Sequence, residues 1–150
     1  MSLEGYLKRN NVWYRFIRKP ETVHTADAAR VADVELKRIT KNLVCETSDG
    51  EYVLLIIPGD KRVDLKRVAG VLKVRNVSLV PFEKAEEISG YPPGGTPSVG
   101  HKTRMKVIID KSILAYETVY CGGGTRDRLL ELRTKDILKL NNAITAEIVR

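Results

Sequence analysis

Ile39-Thr40-Lys41-Asn42-Leu43-Val44-Cys45-Glu46-Thr47-Ser48-Asp49-Gly50-Glu51-Tyr52-Val53-Leu54-Leu55-Ile56-Ile57-Pro58-Gly59-Asp60 is the stretch that sets the fold class. Residues 39–46 read as a strand carrying Lys41, and Ser48-Asp49-Gly50 has the chemistry of a hairpin turn. Residues 52–57 return as a strand that is apolar on both faces, which is the pattern of a central strand covered on two sides. Pro58-Gly59-Asp60 ends it, because proline cannot donate to a ladder.

Downstream, Asp64 is placed to cap a helix over 65–72 with Leu65, Val68, Ala69 and Leu72 turned inward. Residues 74–79 alternate as a short strand. Pro81 fits the first turn of a helix in which Phe82, Ala85 and Ile88 share one face and Gly90 is the stop. Strands follow over 105–110 and 116–121, and Gly122-Gly123-Gly124 turns the chain toward another over 129–132. Thr134 is the expected cap of a last helix bearing Ile137, Leu138 and Leu140, and residues 144–149 close the chain as a strand.

Upstream, Leu3, Tyr6 and Leu7 have helical spacing up to Asn10-Asn11, and residues 12–17 alternate as a strand. Pro20 breaks the pattern, and Thr25 is the expected cap of an Ala-rich helix reaching Ala32. Lys8, Arg9, Arg15, Arg18 and Lys19 read as a solvated basic face. The tally is about seven or eight short strands among four or five short helices, without strict alternation. With two antiparallel hairpins this excludes a doubly wound parallel fold. The expectation is one α+β domain over residues 1–150, with a mixed, strongly curved, barrel-like sheet and short helices packed outside.

A chain of 150 residues with 43% hydrophobic and 30% charged residues has the composition of an ordinary globular domain. No apolar run approaches the roughly 18 residues of a membrane span, and the N-terminus has no signal-peptide pattern, so a cytoplasmic protein is expected. Cys45 and Cys121 lie in apolar strand-like contexts and read as reduced core thiols. With His24 and His101 isolated, no metal site and no cofactor are expected. The net charge of +7 is spread along the chain and is compatible with a polyanionic partner.

Residues 90–104, Gly90-Tyr91-Pro92-Pro93-Gly94-Gly95-Thr96-Pro97-Ser98-Val99-Gly100-His101-Lys102-Thr103-Arg104, hold four glycines and three prolines. They cannot be a helix interior or a central strand. From Tyr91 through Ile109 there is no acidic residue, while Lys102, Arg104 and Lys106 are basic. This is a stiff, positively biased loop whose bare amides can approach a ligand. On composition alone it is equally a functional loop and a plain surface excursion.

Pro58-Gly59-Asp60-Lys61-Arg62-Val63-Asp64-Leu65-Lys66, Gly90-Tyr91-Pro92-Pro93-Gly94-Gly95, Gly100-His101-Lys102, Ile109-Asp110 and Val119-Tyr120-Cys121-Gly122-Gly123-Gly124 occur in that order. Together they resemble the YbaK family, the freestanding relatives of the editing domain inserted in bacterial prolyl-tRNA synthetases. The resemblance implies a trans-acting aminoacyl-tRNA deacylase that removes alanine, cysteine or serine, typically from proline tRNA. The implied partners are aminoacyl-tRNA and prolyl-tRNA synthetase, with no membrane. An aminoacyl ester is already activated, so positioning and oxyanion donors can suffice without a Ser-His-Asp triad.

Carried onto this chain, the resemblance gives Lys41 as the ammonium that orients the terminal adenosine or ester and stabilises charge. Gly94 is the glycine whose backbone approaches the substrate carbonyl, and Gly95 supports its turn. Gly122 corresponds to a pocket-wall position beside the acyl side chain. His101 stands at the Gly-His-Lys position as a contact to substrate or water, and His24 at the pocket rim. Asn42 and Ser98 depart from the family pattern, where threonine or serine and a second proline are usual; they bear on acyl specificity. Two other classes remain open: a tRNA-binding or synthetase-associated module without activity, and a thiol enzyme using Cys121.

Overall fold

The computed structural model describes residues 2–150. Five helices and eight strands form an α+β fold in the order α1 (Leu3–Arg9), β1 (Tyr14–Arg18), α2 (Thr25–Ala32), β2 (Thr40–Thr47), β3 (Tyr52–Pro58), α3 (Leu65–Leu72), β4 (Val77–Leu79), α4 (Phe82–Ser89), β5 (Lys106–Asp110), β6 (Thr118–Gly122), β7 (Arg128–Arg133), α5 (Thr134–Asn141) and β8 (Ile144–Ala146). Short 3-10 turns at Leu36–Arg38 and Lys111–Ala115 join α2 to β2 and β5 to β6.

The two expected hairpins form. β2 pairs antiparallel with β3, placing Lys41 opposite Ile57 and Asn42 opposite Ile56, and β6 pairs antiparallel with β7. The single barrel-like sheet does not form. The strands divide into a three-stranded antiparallel sheet, β1-β7-β6, and a five-stranded mixed sheet, β4-β2-β3-β5-β8, and neither closes. The sheets meet through one isolated bridge, between Ile39 and Tyr120. Beyond it the loop 90–104 stands between β2 and β6: Asn42 on β2 donates to the Thr96 carbonyl, and the Ser98 amide donates to Cys121 Sγ on β6. A loop so rich in proline and glycine cannot extend a ladder, so the sheet is interrupted there.

The central position of β3 follows from its pattern. Leu54 and Ile56 point into a core between the sheets with Val107 and Ile109 of β5, Val119 and Cys121 of β6, and Leu130 and Leu132 of β7. Val53, Leu55 and Ile57 point the other way, against Val68 and Ala69 of α3. A third cluster packs Ala28 and Ala29 of α2 on Ile39, Tyr120 and Leu129. Burial on this scale supplies the main driving force for folding.

Several local expectations shift by a residue. Asp64 caps α3 as expected, its carboxylate accepting from the amides of Lys66 and Arg67. The N-cap of α2 is His24 rather than Thr25, that of α4 is Pro81 itself, and that of α5 is Arg133 rather than Thr134. Thr134 is engaged elsewhere, its hydroxyl donating to the Tyr116 carbonyl at 2.7 Å. Phe82 does not share the inward face of Ala85 and Ile88; its side chain is 65% exposed. The closing strand is shorter than 144–149, with Val149 reaching only a bridge to Val63.

Asp110 is a buried anchor at the end of β5. It accepts from the Ile148 amide at 2.8 Å and from the amide and hydroxyl of Ser112. Asp110→Ala leaves the Ile148 amide without its acceptor, at a cost of about 2–3 kcal/mol. A lowered urea midpoint is the expected result, and an unchanged midpoint would remove Asp110 from this role.

Candidate active site

A cleft of about 440 Å³ opens where β2, α2, α4 and the 90–104 loop converge. Its floor is buried: Ala28 of α2, Ile39, Thr40 and Val44 of β2 and its approach, and Leu129 of β7. One wall is the loop at Tyr91, Pro93, Gly94 and Thr96, another is α4 with Leu79 and Val80 before it, and residues 22–26 lie across the top.

The loop is held by bonds to fixed elements rather than by repetitive structure. The Gly95 amide donates to the Pro92 carbonyl at 2.8 Å, and the Tyr91 hydroxyl donates to the Gly100 carbonyl at 2.9 Å. Asn141 of α5 donates to the Ser98 carbonyl at 2.8 Å, and Arg126 Nε donates to the Pro93 carbonyl at 2.7 Å. Its two ends meet, the amides of Lys102 and Thr103 donating to the carbonyls of Ser89 and Ile88. This is a compact Ω-type loop with its ends closed.

The glycines explain the closeness of fit. Gly94 has φ +85°, and a Cβ there would come within 2.7 Å of Val23 Cα and 2.8 Å of the Thr22 carbonyl oxygen. A Cβ on Gly122 would lie 2.5 Å from the Gly95 carbonyl carbon and 2.6 Å from Thr96 backbone atoms, and one on Gly95 would meet the Thr125 backbone at 3.0 Å. The Gly124 amide then donates to the Gly95 carbonyl at 2.8 Å. Backbone therefore lies directly on backbone between two motifs about 27 residues apart in sequence, which only glycine permits.

Lys41, Asn42, Gly94, Gly122 and His24 all line the cleft. Lys41 and Asn42, being adjacent on a strand, leave it on opposite sides. The Lys41 ammonium donates to the Lys61 carbonyl at 3.0 Å in a solvent-exposed setting. Asn42 turns toward the loop, where Nδ2 donates to the Thr96 carbonyl at 3.3 Å and Oδ1 accepts from the Ser98 hydroxyl at 2.7 Å. Asn42 and Ser98, both singled out in the sequence as bearing on acyl specificity, thus bond to each other. His24 is exposed at the N-terminus of α2.

Gly95 and His101 are not brought to the cleft surface. Gly95 supports the turn behind Gly94. His101 Nε2–H donates to the Pro97 carbonyl at 2.8 Å, and burial holds the imidazole below its ordinary range, so it is a neutral staple of the loop. The thiol of Cys121 is buried and pushed up to about 11 by desolvation, and that of Cys45 to about 12. Neither is a nucleophile near neutral pH. Among the described residues no three His, Cys, Asp or Glu side chains gather as a metal-binding set.

Lys19 corrects the expectation of a solvated basic face. It is only 8% exposed, and its ammonium donates to Thr22 Oγ1 at 2.7 Å and to the Arg126 carbonyl at 2.5 Å. Burial lowers its pKa, partly opposed by Asp127 and Glu21. Lys19 thereby ties the segment above Gly94 to the β6–β7 turn. The Pro20 that follows it was the one local sign that the chain stops being a surface strand here.

This fold and cleft define an aminoacyl-tRNA editing domain, and the chain belongs to that family, whose pattern covers residues 19–140. It is 27% identical to the Enterococcus faecalis protein assigned as a Cys-tRNA(Pro)/Cys-tRNA(Cys) deacylase, EbsC, over 90% of this chain and 82% of that one. It is 26% identical to a proline–tRNA ligase of Brachyspira hyodysenteriae over 71% of this chain, a match spanning only 20% of the ligase. A crystal structure described as a trans-editing enzyme for prolyl tRNA synthetase superposes with a TM-score of 0.86 at 26% identity, covering 99% of this chain and 94% of the other. No helix among the described residues is long and apolar enough to cross a membrane.

Two outcomes follow from this geometry. Gly122→Ala forces backbone apart at the cleft wall and lowers stability by about 1–3 kcal/mol in chemical unfolding, as overpacking does; an unchanged midpoint would show that the wall yields freely. For the thiols, raised folded pKa values keep both protonated through pH 8 and favour the thiolate only above about 11. Iodoacetamide at pH 8 is therefore expected to label the native protein far more slowly than the urea-unfolded chain, with labelling followed by intact mass; equal rates would contradict the burial of both sulfurs.

Proposed function

We propose that this chain is a freestanding deacylase, acting in trans in the cytoplasm on the ester between a small mischarged amino acid and the terminal adenosine of tRNA. Alanine, cysteine and serine are the acyl groups to test, and proline tRNA is the carrier, with prolyl-tRNA synthetase as a further partner. The whole chain, residues 1–150, acts as one editing domain. The observation that carries this reading is the gathering of Lys41, Asn42, Gly94, Gly122 and His24 from separate sequence motifs into one cleft of a chain in the editing family.

The chemistry asks little of side chains. Water adds to the ester carbonyl, the tetrahedral oxyanion collapses, and the ribose oxygen leaves with a proton, giving free amino acid and tRNA. Rate acceleration comes from holding the ester still and from donors aimed at the oxyanion. In this reading the bare backbone at Gly94 lets the carbonyl end approach. Lys41, at the edge of the same cleft, exchanges the Lys61 carbonyl for the ester or adenosine and contributes positive charge. The buried, largely apolar floor accepts a small side chain, and Asn42, oriented by Ser98, forms its polar flank. His101 acts by keeping the loop shaped, not by taking a proton.

Lys41→Ala is expected to lower single-turnover deacylation by about 100-fold or more, the scale of losing one transition-state charge contact. The assay uses proline tRNA charged with alanine, cysteine or serine, with correctly charged Pro-tRNA as control. Lys41 is partly exposed and its ammonium bonds only an exposed carbonyl, so the variant should fold normally. Wild-type rates in Lys41→Ala would remove the lysine from the site. Salt-dependent tRNA binding without hydrolysis of any ester would favour a binding module instead.

A further inference from the structure

The mouth of the cleft carries an apolar surface that ester hydrolysis itself does not require. Phe82, Leu79 and Val23 are 65%, 52% and 42% exposed, and all three line this one opening. Exposed large apolar side chains scattered singly need no explanation, whereas three lining one opening give it an apolar rim. Phe82 is the most exposed of them. It begins α4 directly after Pro81, whose φ of −60° and extended ψ of 153° fix the entry of the chain, while Ala85 and Ile88 of the same helix pack on the core.

The cleft is therefore graded with depth. Its buried floor suits a small acyl side chain, and its open rim offers one flat aromatic ring and two aliphatic side chains. In a 3′-aminoacylated nucleotide the acyl group is joined to the ribose, and the ribose carries the base. With the acyl group on the floor, the next planar, apolar-faced part of the substrate to reach the rim is the base. α4 carries Glu83, Glu86 and Glu87, and Glu86 lines the cleft, so phosphates are not drawn along this helix and what the rim offers is a surface for the base. A base against an exposed aromatic ring is a general arrangement of single-strand recognition.

We propose that the base of the terminal nucleotide stacks on Phe82, with Leu79 and Val23 closing its edges, and that this contact sets the ester over the floor. The inference rests on the deacylase reading for the identity of the substrate.

The test is equilibrium binding, by fluorescence anisotropy, of an uncharged acceptor-stem oligonucleotide ending in adenosine and of the same oligonucleotide with an abasic terminal ribose. Wild type, Phe82→Ala and Phe82→Trp are compared; the ring is exposed, so each variant should keep the fold, and a melting curve checks this directly. Wild type should bind the abasic form about tenfold more weakly, in the range for losing one base–aromatic stack. Phe82→Ala should lose about the same factor toward the adenosine form and almost nothing toward the abasic form, and Phe82→Trp should restore the discrimination. Equal weakening of both oligonucleotides by Phe82→Ala, or no weakening of either, overturns the proposal. Because the oligonucleotides are uncharged, the two readings fail separately. Base discrimination through Phe82 without hydrolysis of mischarged tRNA would sink the deacylase reading alone, whereas hydrolysis without such discrimination would sink the stacking alone.

Discussion

The contact on which the architecture depends is backbone against backbone, where Gly122 at the end of β6 meets Gly95 and Thr96 of the loop. It brings the loop into the gap between β2 and β6, and so decides that the strands form two sheets instead of one. It also exposes the loop's inner edge at the cleft, because the Gly124 amide holds the Gly95 carbonyl and leaves Gly94 facing the segment above. Side chains would supply more buried area, but no side chain could pass through a gap of this width. The fold gives up packing area there and gains a rigid wall made of peptide groups.

Hydrophobic period and turn chemistry made most of the elements legible. The β2–β3 hairpin, the two-faced β3, the Asp64-capped α3 and the glycine stop after α4 rest on short-range rules and lie where those rules put them. The relation between sheets was not legible, since it depends on where a loop docks, and docking is a long-range property. Caps were the least secure. Thr25 and Thr134 have good capping side chains, yet each lies one residue inside its helix, and the Thr134 hydroxyl is used in a tertiary bond.

The site was legible in composition but not in geometry. Glycines at 94, 95 and 122 announce close approach, and the structure supplies what they approach. Lys19 looked like one more cation in a basic run, and only the fold shows that three carbonyl and hydroxyl oxygens surround it. Phe82 fitted a helical face by spacing, but the face turns away from the core at its first residue. Asn42 and Ser98 are distant in sequence, and only the fold shows their hydrogen bond: a serine hydroxyl needs an acceptor when buried, and Asn42 provides it.

The ends of the five-stranded sheet have a consequence for solubility. Its two outermost strands, β4 and β8, are each three residues long, so neither offers a ladder on which a foreign strand could extend. On the smaller sheet the outer strand β1 carries Arg15 and Arg18, paired with Glu131 and Asp127, and the other outer strand, β6, is met by Ile39 and by the loop at Ser98. Short outer strands, charged side chains and a covering loop are recognised defences against edge-to-edge aggregation. A chain with so much β-structure therefore leaves little open edge on which a second copy could pair.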